Sequence, residues 1–144
     1  MKNQVLKFKN ANHQYSIIIG NNALNHLPNK INSICPNTRK VALIVDKNIP
    51  GKFINNLRKK LKKYELIVTR GSKGAEYKNV LYETEPVEVY DVCGAGDTFF
   101  ASLVYRFLMT DDIVDSIKFA NKCAKITVTK EGTYAPKLSE VLKQ

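Results

Sequence analysis

An α/β fold, with a mixed sheet and flanking helices in a three-layer-like arrangement, is the class this sequence predicts. Three observations predict it. Short β-branched runs alternate along the chain with apolar residues at helical spacing. One run, Val41-Ala42-Leu43-Ile44-Val45, is continuously apolar, as strands of a parallel sheet buried on both faces are. A glycine turn, Gly94-Ala95-Gly96, is followed at once by a helical pattern.

The elements follow in order. Val5, Leu6 and Phe8 alternate weakly, residues 10 to 13 supply turn types, and residues 15 to 19 form a β-branched run closed by Gly20, so a hairpin is expected. Leu24, Leu27 and Ile31 recur at helical spacing across Pro28, and the helix should end before Cys35-Pro36-Asn37. The apolar strand 41 to 45 ends at Asp46. Phe53, Ile54, Leu57 and Leu61 make one face of a helix over residues 52 to 63, and Leu66-Ile67-Val68 is the next strand. Gly71-Ser72-Lys73-Gly74 reads as a turn, residues 75 to 81 as the return strand, and Val87-Glu88-Val89-Tyr90 as another alternating strand. Phe99, Phe100, Leu103, Val104, Phe107 and Leu108 form a wide apolar stripe on a helix of about 12 residues. Asp112, with Asp115 three residues on, caps a further helix whose stripe is Ile113, Ile117, Ala120, Ala124 and Val128 and which Gly132 should stop. Residues 138 to 143 add a final helical turn.

A chain of 144 residues suits one compact unit with a genuine core, burying roughly 70% of its unfolded surface. No apolar run reaches the roughly 20 residues of a membrane helix, and the N-terminal MKNQVLKFKN lacks the apolar centre of a signal peptide, so a cytoplasmic protein is expected. Cys35, Cys93 and Cys123 are odd in number and widely spaced, which implies reduced thiols, with neither a disulfide framework nor a zinc site. His13 and His26 each lack a nearby second ligand, and no metal site is expected from them. The net charge of +10 is uneven: residues 1 to 63 hold 13 Lys/Arg and one acid, residues 64 to 144 hold 10 and 12. The lysines of residues 52 to 63 read as a solvated helix face, because no aromatic stacking pattern accompanies them; a nucleic-acid role ranks last.

The stretch Tyr90-Asp91-Val92-Cys93-Gly94-Ala95-Gly96-Asp97 carries the chemistry. A helix that starts here exposes unpaired backbone N–H groups and a partial positive charge, both of which attract anions. Glycines at 94 and 96 let the backbone approach a phosphate with no Cβ between. The same turn brings Asp97 beside that phosphate, where a carboxylate can deprotonate an attacking hydroxyl while the amides stabilise the moving phosphoryl group. Taken alone, a G-x-G-D reads first as an ordinary loop with a first-turn acid.

The longer context is more specific. TRGSKGAEY, VEVYDVCGAGDTFFASLV and IKFANKCAKITVTKEGT resemble, in order and spacing, the C-terminal nucleotide-binding part of the ribokinase-like (PfkB) carbohydrate kinases, whose signature D-x-x-G-A-G-D-x-F reads Asp91 to Phe99 here. The resemblance covers about residues 66 to 137. It implies a ribokinase-like C-terminal part, with Asp97 as catalytic base, Gly94, Ala95 and Gly96 as anion hole, and Thr69 and Gly71 of T-x-G-x-x-G near ATP. Asn121 would lie against the adenine, and Mg²⁺ would arrive with ATP. Asp91 and the carbonyl of Cys93 fall where some members bind a monovalent cation, although Cys stands in place of the commoner Thr. The block VEVYDVCGAGD is most similar to sugar-phosphate members such as heptose-phosphate kinases.

The sugar-binding glycines and lid strands of the family's N-terminal half are not found in residues 1 to 65. YSIIIGNNALNHL and KVALIVDKNIPGKFINNLRKKL instead resemble the first strands and helices of 3-dehydroquinate synthase, in which the positions of Asp46 and Asn48 help hold the adenosine of NAD. That family's pyrophosphate loop and metal ligands have no counterpart here. The expectation is therefore a segment 1–65 joined to a kinase-like segment 66–144, together one compact unit. Four readings follow: an ATP-dependent kinase of a sugar or sugar phosphate that is incomplete alone, completed by a partner chain or homo-oligomer; a nucleotide- or partner-binding module without turnover; a remnant of rearrangement; or a 3-dehydroquinate-synthase-like fragment.

Overall fold

The computed structural model describes residues 3 to 45 and 49 to 143. Asp46 and Asn48, and the end of the predicted strand at Asp46, lie outside the described residues. Two compact units emerge: Met1–Arg39 with Pro50–Tyr64, and Lys40–Ile49 with Glu65–Gln144. The charge break near residue 64 thus coincides with a structural one. Residues 40 to 49 leave the basic half and join the second unit.

In the first unit, β1 (Gln4–Lys9) and β2 (Gln14–Ile19) form the expected hairpin, pairing antiparallel with Leu6 opposite Ile17 and Phe8 opposite Tyr15. The Asn10 carboxamide oxygen ties the turn by accepting from the amides of Asn12 and His13. A 3-10 turn, Ala23–His26, leads into α1 (Leu27–Ile34). Pro28 is accommodated because it sits in the first turn, where an amide hydrogen has no helical partner to lose. In α2 (Gly51–Lys60), Ile54 and Leu57 are buried as expected, and Leu61 follows fully buried. Phe53, predicted on the same face, is exposed.

The second unit holds a mixed sheet ordered β3-β4-β5-β6, built from β3 (Lys40–Leu43), β4 (Glu65–Thr69), β5 (Ala75–Tyr77) and β6 (Val80–Tyr82). β3 and β4 are parallel, and the remaining pairs antiparallel. The single return strand predicted over residues 75 to 81 is in fact two strands. Lys78 (φ 50°) and Asn79 (φ 63°) both take the left-handed conformation, which is what a two-residue hairpin turn requires. Residues 87 to 90, predicted as a strand, pair with no other strand among the described residues. The amides of Tyr90 and Asp91 donate instead to the Val128 carbonyl at 2.8 and 3.2 Å.

Two long helices, α3 (Ala95–Thr110) and α4 (Ile113–Val128), pack on each other and on one face of this sheet. The register explains the contact. Ala42, Ile67 and Tyr77 lie in one cross-strand row, and Ala75 and Tyr82 in the next, so period-2 alternation turns all five toward Phe99, Leu103, Ile117 and Ala120. Only half of the predicted α3 stripe is used: Phe99 and Leu103 are buried, whereas Phe100, Val104 and Leu108 are exposed. Asp112 caps α4 as expected, accepting from the amides of Val114 (2.8 Å) and Asp115 (3.0 Å). Asp115 binds Arg106 of α3 at 2.5 Å. α4 ends at Val128, before Gly132, because the Thr129 amide turns back to Ile126 and the Lys130 amide to Thr127. A last turn, α5 (Leu138–Val141), is held by Glu140, which accepts from the Lys137 amide and the Tyr134 hydroxyl. Among the described residues no helix is long and apolar enough to cross a membrane.

Candidate active site

Parallel strands β3 and β4 end on the same edge of the sheet, the edge where ligands bind in open α/β sheets. Three segments converge there. The Val45 amide, just past β3, donates to Thr69 Oγ1 at the end of β4 (3.3 Å). Beside it, Ile44 stands so close to Gly96 that a Cβ on that glycine would lie 3.0 Å from its Cγ2. The N-terminus of α3 therefore meets the carboxyl ends of both strands.

The turn itself is built by Gly94, which caps α3 at φ 75°, a conformation that a side chain would strain. Its carbonyl accepts the first helical bond, from the Thr98 amide at 2.8 Å, while the Ala95 amide makes a longer bond to Val92 at 3.3 Å. The amides of Gly96 and Asp97 have no intrahelical acceptor, and Asp97 lies exposed in the same first turn. Among the described residues, N–H groups without an acceptor and a carboxylate thus share one turn, an arrangement that favours anions.

Asp91 braces this turn from below. One carboxylate oxygen accepts from the Cys93 amide (2.8 Å) and the other from the Gly132 amide (3.1 Å), which ties the turn to the loop after α4. Thr133 of that loop packs against Gly94. Asp91 and Cys93 are adjacent to the Gly94 turn, and the Asp91 carboxylate serves two amides. Gly132, predicted only as a helix stop, and Thr133 are the residues that sequence reasoning missed. The spacing of TKEGT carries no signal of that contact.

The second group forms around Asn121. Its side chain is buried and donates to the Tyr82 carbonyl at 2.8 Å, beside Gly74. Gly74 closes the loop that begins at Thr69 and Gly71: its carbonyl accepts from Arg70 and its amide donates to Gly71. Arg70 is pinned in turn by Glu76 at 2.5 Å. The structure therefore brings Asn121 to the T-x-G-x-x-G loop, and Thr69 to the edge that holds Gly96.

All three cysteines are free, and the Cys123 thiol is pushed up by burial. A ring nitrogen of His26 meets the Asn3 amide at 2.9 Å. Among the described residues, no group of three or more His, Cys, Asp or Glu side chains is placed to hold a metal ion.

A family model described as pfkB family carbohydrate kinase matches residues 6–140. The chain belongs to the PfkB carbohydrate kinase family. Among curated PfkB-like relatives, the Bifunctional protein HldE of Campylobacter concisus (strain 13826) is 37% identical over 101 residues, covering 68% of this chain and 21% of the relative. The ribokinase of Bacillus subtilis (strain 168) is 38% identical over 72 residues, 47% of this chain and 25% of the relative. Solved kinases share the fold. Aminoimidazole riboside kinase from Salmonella enterica, complexed with aminoimidazole riboside and an ATP analog, aligns with a TM-score of 0.68 at 18% identity, over 86% of this chain and 47% of that one. Fructokinase from Vibrio cholerae O395, in its fructose-, ADP- and calcium-bound form, aligns at 0.62 and 23% identity, over 82% and 44%. The chain thus spans about a quarter or less of these curated relatives and under half of these solved kinases. The family match also takes in most of residues 1 to 65, for which the sequence suggested 3-dehydroquinate synthase, a likeness that these comparisons do not show.

Proposed function

We propose that this chain is the nucleotide-binding and phosphoryl-transfer module of an ATP-dependent carbohydrate kinase, acting on a sugar or sugar phosphate. One observation carries the reading: Gly94, Gly96 and Asp97 occupy the N-terminal turn of α3, at the carboxyl edge of two parallel strands. The Gly94 to Gly96 turn, with the first amides of α3, holds the phosphoryl group being transferred and stabilises its charge. Asp97 takes the proton of the sugar hydroxyl as that oxygen bonds to the γ-phosphorus and the bond to ADP breaks.

The remaining residues serve the nucleotide. Thr69 and Gly71 line its approach, and Asn121, held by Tyr82, borders the adenine. Mg²⁺ accompanies the ATP phosphates, and no side chain is assigned to it. A monovalent cation at the turn would be held by carbonyls such as that of Cys93, with Asp91 shaping the loop. The VEVYDVCGAGD block and the HldE relatives favour a sugar phosphate of the heptose class. A cytoplasmic location suits all of these ligands.

The short coverage of the matched kinases favours a second reading, nucleotide binding without turnover unless a partner chain or second copy completes the sugar site. The first half then substitutes for kinase elements. Calorimetric titration with ATP, followed by a screen of sugars and sugar phosphates for ADP release, tests both. Turnover that Asp97→Asn lowers by about a hundredfold or more supports the kinase; ATP binding with no ADP release selects the second reading. An Asp97→Asn protein that turns over at the parent rate refutes the base assignment.

A further inference from the structure

Thr127 is a polar side chain with no exposed surface, set in the last turn of α4. Its hydroxyl lies 3.0 Å from the Tyr134 carbonyl and 3.2 Å from both the Cys123 carbonyl and Thr98 Oγ1. A hydroxyl has one proton to give and two lone pairs to receive. Thr127 donates to a carbonyl, Tyr134 being the nearer, and Thr98 donates to Thr127. The alternation Ile126-Thr127-Val128 on an apolar helix gives no reason for a hydroxyl here other than these partners.

Thr98 follows Asp97 directly, and its amide closes the first turn of α3 on Gly94. We infer that Thr127 is a positioning residue: through the Thr98 hydroxyl it fixes the first turn of α3, and with it the Gly96 and Asp97 amides and the Asp97 carboxylate. The Asp91 brace to Gly132 and the packing of Thr133 on Gly94 hold the preceding residues. Among the described residues, Thr127 supplies the polar tie from the helical side of the turn to α4 and to the loop at Tyr134. The consequence for nucleotide affinity rests on the kinase reading, whereas the effect on the turn does not.

The test uses the full chain with Thr127→Val, which keeps the shape and removes the hydroxyl, and Thr127→Ser, which restores it. Amide hydrogen exchange is read by NMR, and ATP affinity by calorimetry. Thr127→Val should speed exchange at the Thr98 amide about tenfold, leave the amides of mid-α4 unchanged, and weaken ATP binding about tenfold, with Thr127→Ser within twofold of the parent in all three. If the parent does not bind ATP but the exchange pattern holds, the kinase reading fails and the positioning role stands. Unchanged exchange at Thr98 in Thr127→Val, or uniform acceleration through α3 and α4, overturns the inference.

Discussion

Replacing Gly96 by alanine separates a phosphate site from an ordinary helix start. The new Cβ would lie 3.0 Å from Cγ2 of Ile44, a side chain 41% exposed and free to turn aside. Alanine gains up to about 1 kcal/mol over glycine in a helix. Displacing Ile44 from its rotamer costs about 0.5–1.5 kcal/mol. The two nearly cancel, so stability should change by less than about 1 kcal/mol, measured by urea unfolding. Binding should not be spared. The methyl stands next to the amide that we propose receives the phosphate, and losing one charge-assisted hydrogen bond costs about 1.5–3 kcal/mol, or about ten- to a hundredfold in the calorimetric Kd for ATP. A folded Gly96→Ala protein that binds ATP as tightly as the parent would refute the assignment of this turn.

Other perturbations test neighbouring parts. Gly94→Ala forces a side chain to φ 75° with Thr133 Cγ2 only 3.2 Å away, and should destabilise the fold by about 1–2 kcal/mol in urea unfolding. Asn121→Ala leaves the Tyr82 carbonyl without its buried donor and should cost about 1–3 kcal/mol by the same measurement, with ATP affinity falling as well. Glu140 is held below the ordinary carboxylate value, first by the Lys137 amide and then by the Tyr134 hydroxyl. A lowered value in the folded state means that its stabilisation is complete above the ordinary value and is lost as pH falls through the lowered one. Glu140→Gln should therefore flatten the acid limb of the stability curve and leave the neutral limb's slope unchanged.

Much of this architecture is legible in the residues themselves. The hairpin, the Asp112 cap and the glycine turn each rest on local chemistry: turn residues, a carboxylate before a helix, a Cβ-free approach to the first helical amides. What sequence misreads is set by partners distant in the chain. Val87-Glu88-Val89-Tyr90 alternates like a strand, but Pro86 cannot donate to a ladder and the Tyr90 amide is taken by Val128. The α3 stripe is twice as wide as the face that the sheet and α4 cover, so composition alone could not divide Phe99 from Phe100. Lys78-Asn79 lacks the glycine that usually marks a two-residue turn. At the site, Gly94, Gly96 and Asp97 are visible because one turn holds them. Gly132, Thr133 and Thr127 act from more than 28 residues away and carry no pattern of their own.

We propose that the N-terminal turn of α3 receives the phosphates of a nucleotide. Titrating the isotope-labelled chain with ATP and following its backbone amides by NMR tests this most directly. Saturable shifts at the Gly96 and Asp97 amides, weakened in Gly96→Ala, are the predicted result. Saturable binding that leaves those amides unmoved, or no binding by the folded chain, would contradict it.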